Sequence, residues 1–249
     1  MKFIKNIVAA IFAIWALFWF VFTMLLILVP TWILGFVKEP RRTYIFIDLS
    51  RIWMGVFLPL AGIRLRIIGT EHFAPGQNYV VVCNHNSFMD VPVTSPGIPG
   101  GNKTIAKIEM ARIPLFGIVY RRGSVLVDRK SEESRLHSYA NMKDVLAMGL
   151  HMCIYPEGTR NRTGKPLKDF KEGAFRLAIE TGKPVIPAVL FNTARVLPPN
   201  RSFYFWPGTI YMQFLPPVSV EGLQVEDAPK LRQQVFDTMW QAVEKGRSE

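Results

Sequence analysis

An α/β fold, with a largely parallel central sheet flanked by helices and preceded by a two-helix membrane-associating motif, is what this sequence predicts. Three observations carry that expectation: short β-rich runs alternate with helical patterns, an uncharged stretch fills the amino terminus, and polar motifs follow directly on strand-like runs. A chain of 249 residues, 49% hydrophobic and 20% charged, can bury a sizeable core, which excludes general disorder.

The first element is apolar. After Lys2 and Lys5 no charged side chain occurs from Asn6 to Val37. As a helix that run measures roughly 48 Å, longer than a bilayer core of about 30 Å. Bulky residues from Phe18 to Val29 stand where a signal peptide would carry its small-residue cleavage site, so the segment reads as retained. Pro30 predicts a break, leaving a first helix over Ile7 to Val29. A second apolar stretch, Tyr44 to Ile63, follows Lys38, Arg41 and Arg42. It contains Asp48 and Arg51, which are costly in hydrocarbon, so it reads as interfacial or packed against protein. Positive charge on both sides of the first helix fits two antiparallel helices dipping into one leaflet, with a single tilted span as the competing reading. Residues 1–63 are therefore expected to form a membrane-associating helical segment, and 64–249 the α/β domain.

Strands are expected at Tyr79 to Cys83, Ser124 to Asp128, His151 to Tyr155, Val185 to Phe191 and Ile210 to Leu215. Between them, Arg135 to Leu150 carries Leu136, Tyr139, Met142 and Leu146 on one helical stripe, and Lys168 to Thr181 carries Phe170, Ala174, Leu177 and Ala178. Gly182 and Pro184 end the latter, and a last helix runs from about Ala228 to Lys245. Strand and helix in alternation place functional groups at the carboxyl ends of parallel strands.

The formal net charge is +11, which points to an acidic partner. Gly101 to Arg176 holds fifteen Lys and Arg against eight Asp and Glu, so +7 of the net charge lies there. Cys83 and Cys153 sit in apolar, strand-like runs and make no zinc framework; they are expected free, reduced and buried.

Directly after the Tyr79 to Cys83 run comes Asn84-His85-Asn86-Ser87-Phe88-Met89-Asp90. A five-residue step lets the chain turn into a helix and bring the Asp90 carboxylate back to the His85 imidazole. A carboxylate on one ring nitrogen fixes the tautomer and leaves the other nitrogen free to take a proton from a hydroxyl. After the His151 to Tyr155 run comes Pro156-Glu157-Gly158-Thr159-Arg160. Glycine lets backbone N–H groups approach an anion, threonine adds a donor, and arginine grips phosphate bidentately. The simplest role for Glu157 is an ion pair that holds Arg160.

These residues resemble the motifs of the glycerolipid acyltransferases. Asn84-His85-x-Ser87-x-x-Asp90 is similar to their H-x4-D motif, and Tyr155-Pro156-Glu157-Gly158-Thr159-Arg160 to F-P-E-G-T-R. Gly123 to Arg129 resembles a third block, G-x-I-F-I-D-R, and Val185-Ile186-Pro187-Ala188 a fourth, V-x-P-V. Four blocks in order, from about Tyr79 to Leu190, look most like the bacterial PlsC-type 1-acylglycerol-3-phosphate acyltransferases. The resemblance implies transfer of an acyl chain from coenzyme A or acyl carrier protein to the 2-hydroxyl of lysophosphatidic acid, giving phosphatidic acid. It implies His85 as general base with Asp90 as its partner, and Glu157, Gly158, Thr159 and Arg160 as the acceptor-phosphate segment. Lys107 falls where relatives aim a lysine at that phosphate, Arg129 is structural or phosphate-binding, and Pro187 shapes the pocket. Tyr155 stands in place of the usual phenylalanine, a change expected to touch packing more than chemistry.

A thioester is already activated, so neither metal nor organic cofactor is expected. Expected partners are membrane lipids, lysophosphatidic acid and the thioester donor, with no nucleic acid, at the cytoplasmic membrane with the catalytic domain facing the cytosol. A lyso-amino-acid lipid acceptor is the nearest alternative. An esterase using Ser87 would carry a G-x-S-x-G elbow, which is absent. A non-enzymatic binder of anionic lipid leaves the His85 to Asp90 spacing unexplained.

Overall fold

The computed structural model describes residues 2–248, with side chains from 3 to 246, so the flanking charge of Lys2 lies outside it. The chain opens with a helical hairpin, α1 (Lys2–Ile33) and α2 (Arg41–Leu60). There follow β1 (Ile63–Ile68), β2 (Val80–Cys83), α3 (Asp90–Gly97), β3 (Asn102–Lys107), α4 (Phe116–Arg122) and β4 (Ser124–Val127). The chain closes with α5 (Glu132–Ala147), β5 (His151–Ile154), α6 (Gly173–Thr181), β6 (Val185–Phe191), α7 (Thr193–Val196), β7 (Gly208–Phe214) and α8 (Ala228–Ser248).

One sheet holds all seven strands in the order β1-β7-β6-β2-β5-β3-β4. From β6 to β4 the five neighbours run parallel; β7 lies antiparallel to β6, and β1 parallel to β7. Strands β2 and β5 lie inside the sheet with two covered faces, so Val80–Cys83 and His151–Ile154 are buried at every residue. Val81, Cys83, Cys153, Ile186 and Met212 face the hairpin side, where they share one core with Phe46, Ile47, Trp53 and Phe57 of α2. Val80, Val82, Met152 and Val189 face the other side, against α5, α6 and α8. Full burial of one such side chain contributes about 1.5–3 kcal/mol. The hairpin is thus a layer of the fold as well as an apolar surface.

Helix α1 does not end before Pro30, as its sequence suggested. It runs one turn further, to Ile33, and tightens into a 3₁₀ turn over Leu34–Phe36. Proline removes only the donor that would reach the Leu26 carbonyl one turn back, and beyond it Arg122 Nε donates to the Thr31 carbonyl at 3.3 Å. The two helices are antiparallel, since Trp15 Nε1 donates to the Leu60 carbonyl at 2.8 Å while Trp53 Nε1 donates to Thr23 Oγ1 at 2.9 Å. At the hairpin turn Glu39 accepts from Lys103 Nζ at 2.8 Å and pairs with Arg42 at 2.8 Å.

Both ends of α1 are tied to the sheet domain. Near the start the Phe205 N–H donates to the Ala9 carbonyl at 3.2 Å; near the end sits the Arg122 bond to Thr31, roughly 33 Å along the axis. A helix held at both ends lies along the domain rather than projecting from it. Its outward face, with Ile11, Ile14, Phe18, Leu25 and Val29, is exposed. Both hairpin helices are long and apolar enough to cross a membrane by length and composition.

The second apolar stretch becomes α2 and ends at Leu60, after which Ile63 opens β1 rather than closing the helix. The helix expected to bring Asp90 back to His85 is α3, whereas strands β1 and β3 and helices α4 and α7 were not expected from sequence. Arg64 and Arg66 interrupt β1, Asn102, Lys103 and Thr104 open β3 as a polar run, and both helices are short, so none offers a long apolar period.

Candidate active site

Strands β2 and β5 are neighbours in the parallel sheet, so the loops that leave their carboxyl ends emerge side by side. The β2 loop starts at Asn84, whose amide clips it to β6: Nδ2 donates to the Leu190 carbonyl at 3.0 Å and Oδ1 accepts from the Leu190 N–H at 2.7 Å. His85 follows, with Nδ1 2.7 Å from Asp90 Oδ2. That same carboxylate oxygen accepts the N–H groups of Asn86 and Ser87, each at 2.7 Å. Asp90 is the first residue of α3, where the helix dipole favours a negative charge, and its side chain is fully buried. The His85 ring keeps 19% of its surface in solvent, leaving Nε2 as the nitrogen with no protein partner among the described residues.

Ser87 is occupied elsewhere. Its hydroxyl donates to the Leu197 carbonyl at 2.7 Å and accepts from the Met89 N–H at 3.0 Å, which is the arrangement of a loop staple rather than a nucleophile.

The β5 loop closes over this pair. Gly158 adopts φ +71°, and its N–H donates to the Tyr155 carbonyl at 3.0 Å. A side chain here would be strained, and a Cβ would stand 3.0 Å from Lys171 Cε. Arg129 donates to the Gly158 carbonyl, so the third block braces the turn of the second. Thr159 Oγ1 accepts from Lys168 Nζ at 2.8 Å, and the Asn161 N–H donates to the His85 carbonyl at 2.6 Å, which ties the loops together. The Arg160 guanidinium lies 3.6 Å from the ring centroid of Phe88, an exposed side chain. Stacking of this kind holds a guanidinium in place without using its N–H donors.

Glu157 departs from the ion pair its position suggested. Fully buried, it accepts from the His85 N–H at 2.8 Å through Oε1 and from the Lys168 N–H at 3.2 Å through Oε2. Its oxygens hold backbone on either side, and Arg160 is left to stack on Phe88. Burial pushes its carboxyl up to about 7, against the two N–H donors that favour the ionised form.

Of the other residues singled out from sequence, Lys107 ends β3 on the same sheet edge, exposed, with Glu109 as its ion-pair partner at 3.2 Å. Pro187 lies inside β6, buried opposite Val82, and its carbonyl accepts from the Leu215 N–H at 2.8 Å. His85, Asp90, Glu157, Gly158, Arg160 and Arg129 form one cluster. Among the described residues, the ion-pair partner of Lys107 is Glu109 and not a member of that cluster.

Three further residues shape the site. The Tyr155 ring stacks on His85, centroids 4.5 Å apart at 29°, and its hydroxyl lies 2.6 Å from Thr94 Oγ1. Thr94 in turn donates to the Asp90 carbonyl at 2.9 Å. The tyrosine thus does more than pack, because its hydroxyl reaches the helix that bears Asp90. Arg51 of α2 donates to the Pro96, Ile98 and Gly100 carbonyls at 3.1, 2.9 and 3.0 Å, and also pairs with Asp48 at 2.6 Å. It caps the other end of the same helix. The tyrosine-for-phenylalanine change and the charge inside an apolar segment were the only sequence signals for these roles. Cys83 and Cys153 are free and buried, Sγ atoms 3.9 Å apart.

Residues 64–190 match the family described as Acyltransferase. The 1-acyl-sn-glycerol-3-phosphate acyltransferase alpha of Mus musculus is 34% identical over 182 residues, which cover 72% of this chain and 64% of that protein. A 1-acyl-sn-glycerol-3-phosphate acyltransferase of Borreliella burgdorferi is 32% identical over 146 residues, 58% of each chain. The chain therefore spans less than two thirds of the length of these relatives. Among solved structures, the 1-acyl-sn-glycerophosphate acyltransferase PlsC of Thermotoga maritima superposes with a TM-score of 0.79 at 23% identity, over 100% of this chain and 99% of that one. That likeness establishes a shared fold.

Proposed function

The chain belongs to the acyltransferase family, and from that premise we propose that it transfers an acyl group from a thioester to the 2-hydroxyl of lysophosphatidic acid, giving phosphatidic acid. The observation that carries this reading is the His85 and Asp90 pair at 2.7 Å, tied through the His85 carbonyl to the loop of Gly158 and Arg160.

Asp90 holds the His85 Nδ1 proton and steadies the imidazolium that forms. His85 Nε2 takes the proton from the acceptor hydroxyl as that oxygen attacks the thioester carbonyl carbon. The C–S bond breaks as the tetrahedral centre collapses, and the imidazolium returns its proton to the departing thiolate. General base catalysis of this kind contributes about 10² to 10⁴ in rate. Arg160, set on Phe88 with its donors free, grips the acceptor phosphate, and Gly158 and Thr159 present the turn to it. Lys107 supplies further positive charge from the same sheet edge. Arg129 and Glu157 hold that turn from outside and inside, and Pro187 shapes the pocket floor one strand away. The donor is acyl-coenzyme A or acyl carrier protein, and the chemistry asks for no metal or organic cofactor.

Residues 1–63 serve the membrane and 64–249 the chemistry, although both share a core. The hairpin lies in one leaflet, because α1 is tied to the sheet domain at both ends and a span would carry one end across about 30 Å of hydrocarbon. We place the protein at the cytoplasmic membrane with the sheet domain in the cytosol, where the two free thiols suit a reducing compartment.

Purified protein in detergent, offered lysophosphatidic acid beside lysolipids without a phosphate monoester, with both thioester donors, tests this. His85-dependent formation of phosphatidic acid is the expected result, with a folded His85→Ala protein as control. Preference for another lysolipid would overturn the acceptor while leaving the acyl transfer standing.

A further inference from the structure

The segment from Leu197 to Pro207 carries Phe203, Tyr204, Phe205 and Trp206 in a row and takes no part in the chemistry above. Tyr204 and Phe205 are buried, but Phe203 is 74% exposed and adopts φ +49°. A bulky residue seldom holds a left-handed backbone, and here that conformation presents an aromatic ring to the outside of the molecule.

The loop sits against the start of α1. The Phe205 N–H donates to the Ala9 carbonyl, the Trp206 ring meets Phe12 edge-on at 6.2 Å between centroids, and Lys5 Nζ lies 5.1 Å from the centre of the Trp206 ring. Beside it α1 exposes Phe3, Ile4, Ile7 and Ile11. Phe203 therefore extends an apolar surface that already belongs to the hairpin. The charge along this stretch of sequence has one sign. No acidic side chain occurs between Thr181 and Val220, whereas Arg195 and Arg201 are exposed and make no ion pair among the described residues. Arg201 stacks over Tyr204, its guanidinium carbon 5.0 Å from the ring centre. An exposed aromatic tip, a tryptophan and a tyrosine behind it and unpaired arginines at its sides match the chemistry of an anionic membrane interface.

We propose that the 197–207 loop is a second membrane anchor, which inserts Phe203 among the headgroups of an anionic bilayer while Lys5, Arg195 and Arg201 meet lipid phosphates. It rests on the membrane reading of the hairpin and deepens it. With α1 held at both ends, a contact at this loop fixes the roll of the domain about the helix and so the angle at which the His85 edge faces the lipid.

The test uses the full chain in vesicles containing phosphatidylglycerol, with one fluorescent maleimide. The native thiols, Cys83 and Cys153, are fully buried and do not compete for label. Probes are placed by Phe203→Cys, by Phe18→Cys on the exposed face of α1, and by Gln77→Cys, which is exposed before β2 at the opposite sheet edge. Expected are quenching by shallow lipid-borne nitroxides and protection from iodide at positions 203 and 18, with neither at 77. Arg195→Gln with Arg201→Gln should cut the quenching at position 203 in anionic vesicles, since each basic group is worth about fivefold in partitioning. A position-203 probe as open to iodide as that at 77, while 18 remains protected, overturns the anchor. An unprotected probe at 18 overturns the membrane reading itself and the anchor with it.

Discussion

The Tyr155 hydroxyl lies 2.6 Å from the Thr94 hydroxyl while the Tyr155 ring stacks on His85 at 4.5 Å. One side chain of β5's loop therefore touches the histidine with its face and, with its oxygen, the helix that begins at Asp90. A phenylalanine keeps the face and loses the oxygen. Tyr155→Phe should lower kcat about three- to tenfold, in line with the net value of one buried hydrogen bond. Thr94→Val should do the same, and the double variant should cost little more than either single one. Additive losses would show that the two hydroxyls act separately.

The proposed phosphate role of Arg160, which stacks on Phe88, is tested by acceptor affinity. Arg160→Ala should raise KM for a phosphate-bearing acceptor by tenfold or more with a smaller change in kcat, and Arg160→Lys should recover only part, since a point charge lacks the bidentate fork. Phe88→Ala should weaken acceptor binding about two- to fivefold by freeing the guanidinium from its 3.6 Å stack. Acceptor titrations at saturating donor decide it; an unchanged KM in Arg160→Ala removes the phosphate role.

Arg51 reaches three carbonyls at the carboxyl end of α3, from the middle of a largely apolar helix. A cation there also opposes the negative end of the helix dipole. Arg51→Met should cost about 2 kcal/mol of stability and reduce kcat several-fold, because α3 carries Asp90 at its other end. Thermal unfolding and the pH profile of kcat together separate the two effects: loss of stability with an unaltered profile would confine Arg51 to the fold.

His151 is buried, with Nδ1 accepting from the Tyr79 N–H at 3.1 Å, and burial lowers its pKa from 6.5 to about 4. The unfolded chain takes up a proton near pH 6.5 that the folded chain refuses until about pH 4. Its contribution to stability is therefore complete above pH 6.5 and lost as the pH falls through that window. Unfolding midpoints should drop from pH 7 to pH 4, and more shallowly in His151→Gln. Equal slopes in the two proteins would exclude His151 as the source.

Much of this molecule was legible in its sequence because the signals were local. Five strands were placed within two residues of where they lie, and the His85 to Asp90 step required only one loop and the first turn of a helix. Where expectation failed, the deciding partner lay far along the chain. Glu157 turns from Arg160 towards the N–H of His85, 72 residues away.

The sequence by itself determined the residue chemistry, the α/β alternation and the loops in which the polar motifs stand, since strand periodicity and turn residues act over a few positions. Only the tertiary structure decided that β2 and β5 are neighbours, so that the two loops meet, and that α1 lies along the domain with Arg51 of α2 capping α3. Strand order and the choice of partner for a buried carboxylate or guanidinium are settled by burial of the whole core. No local pattern carries that information, because the cost of an unpaired buried polar group is met by whichever donor or acceptor the packing brings near.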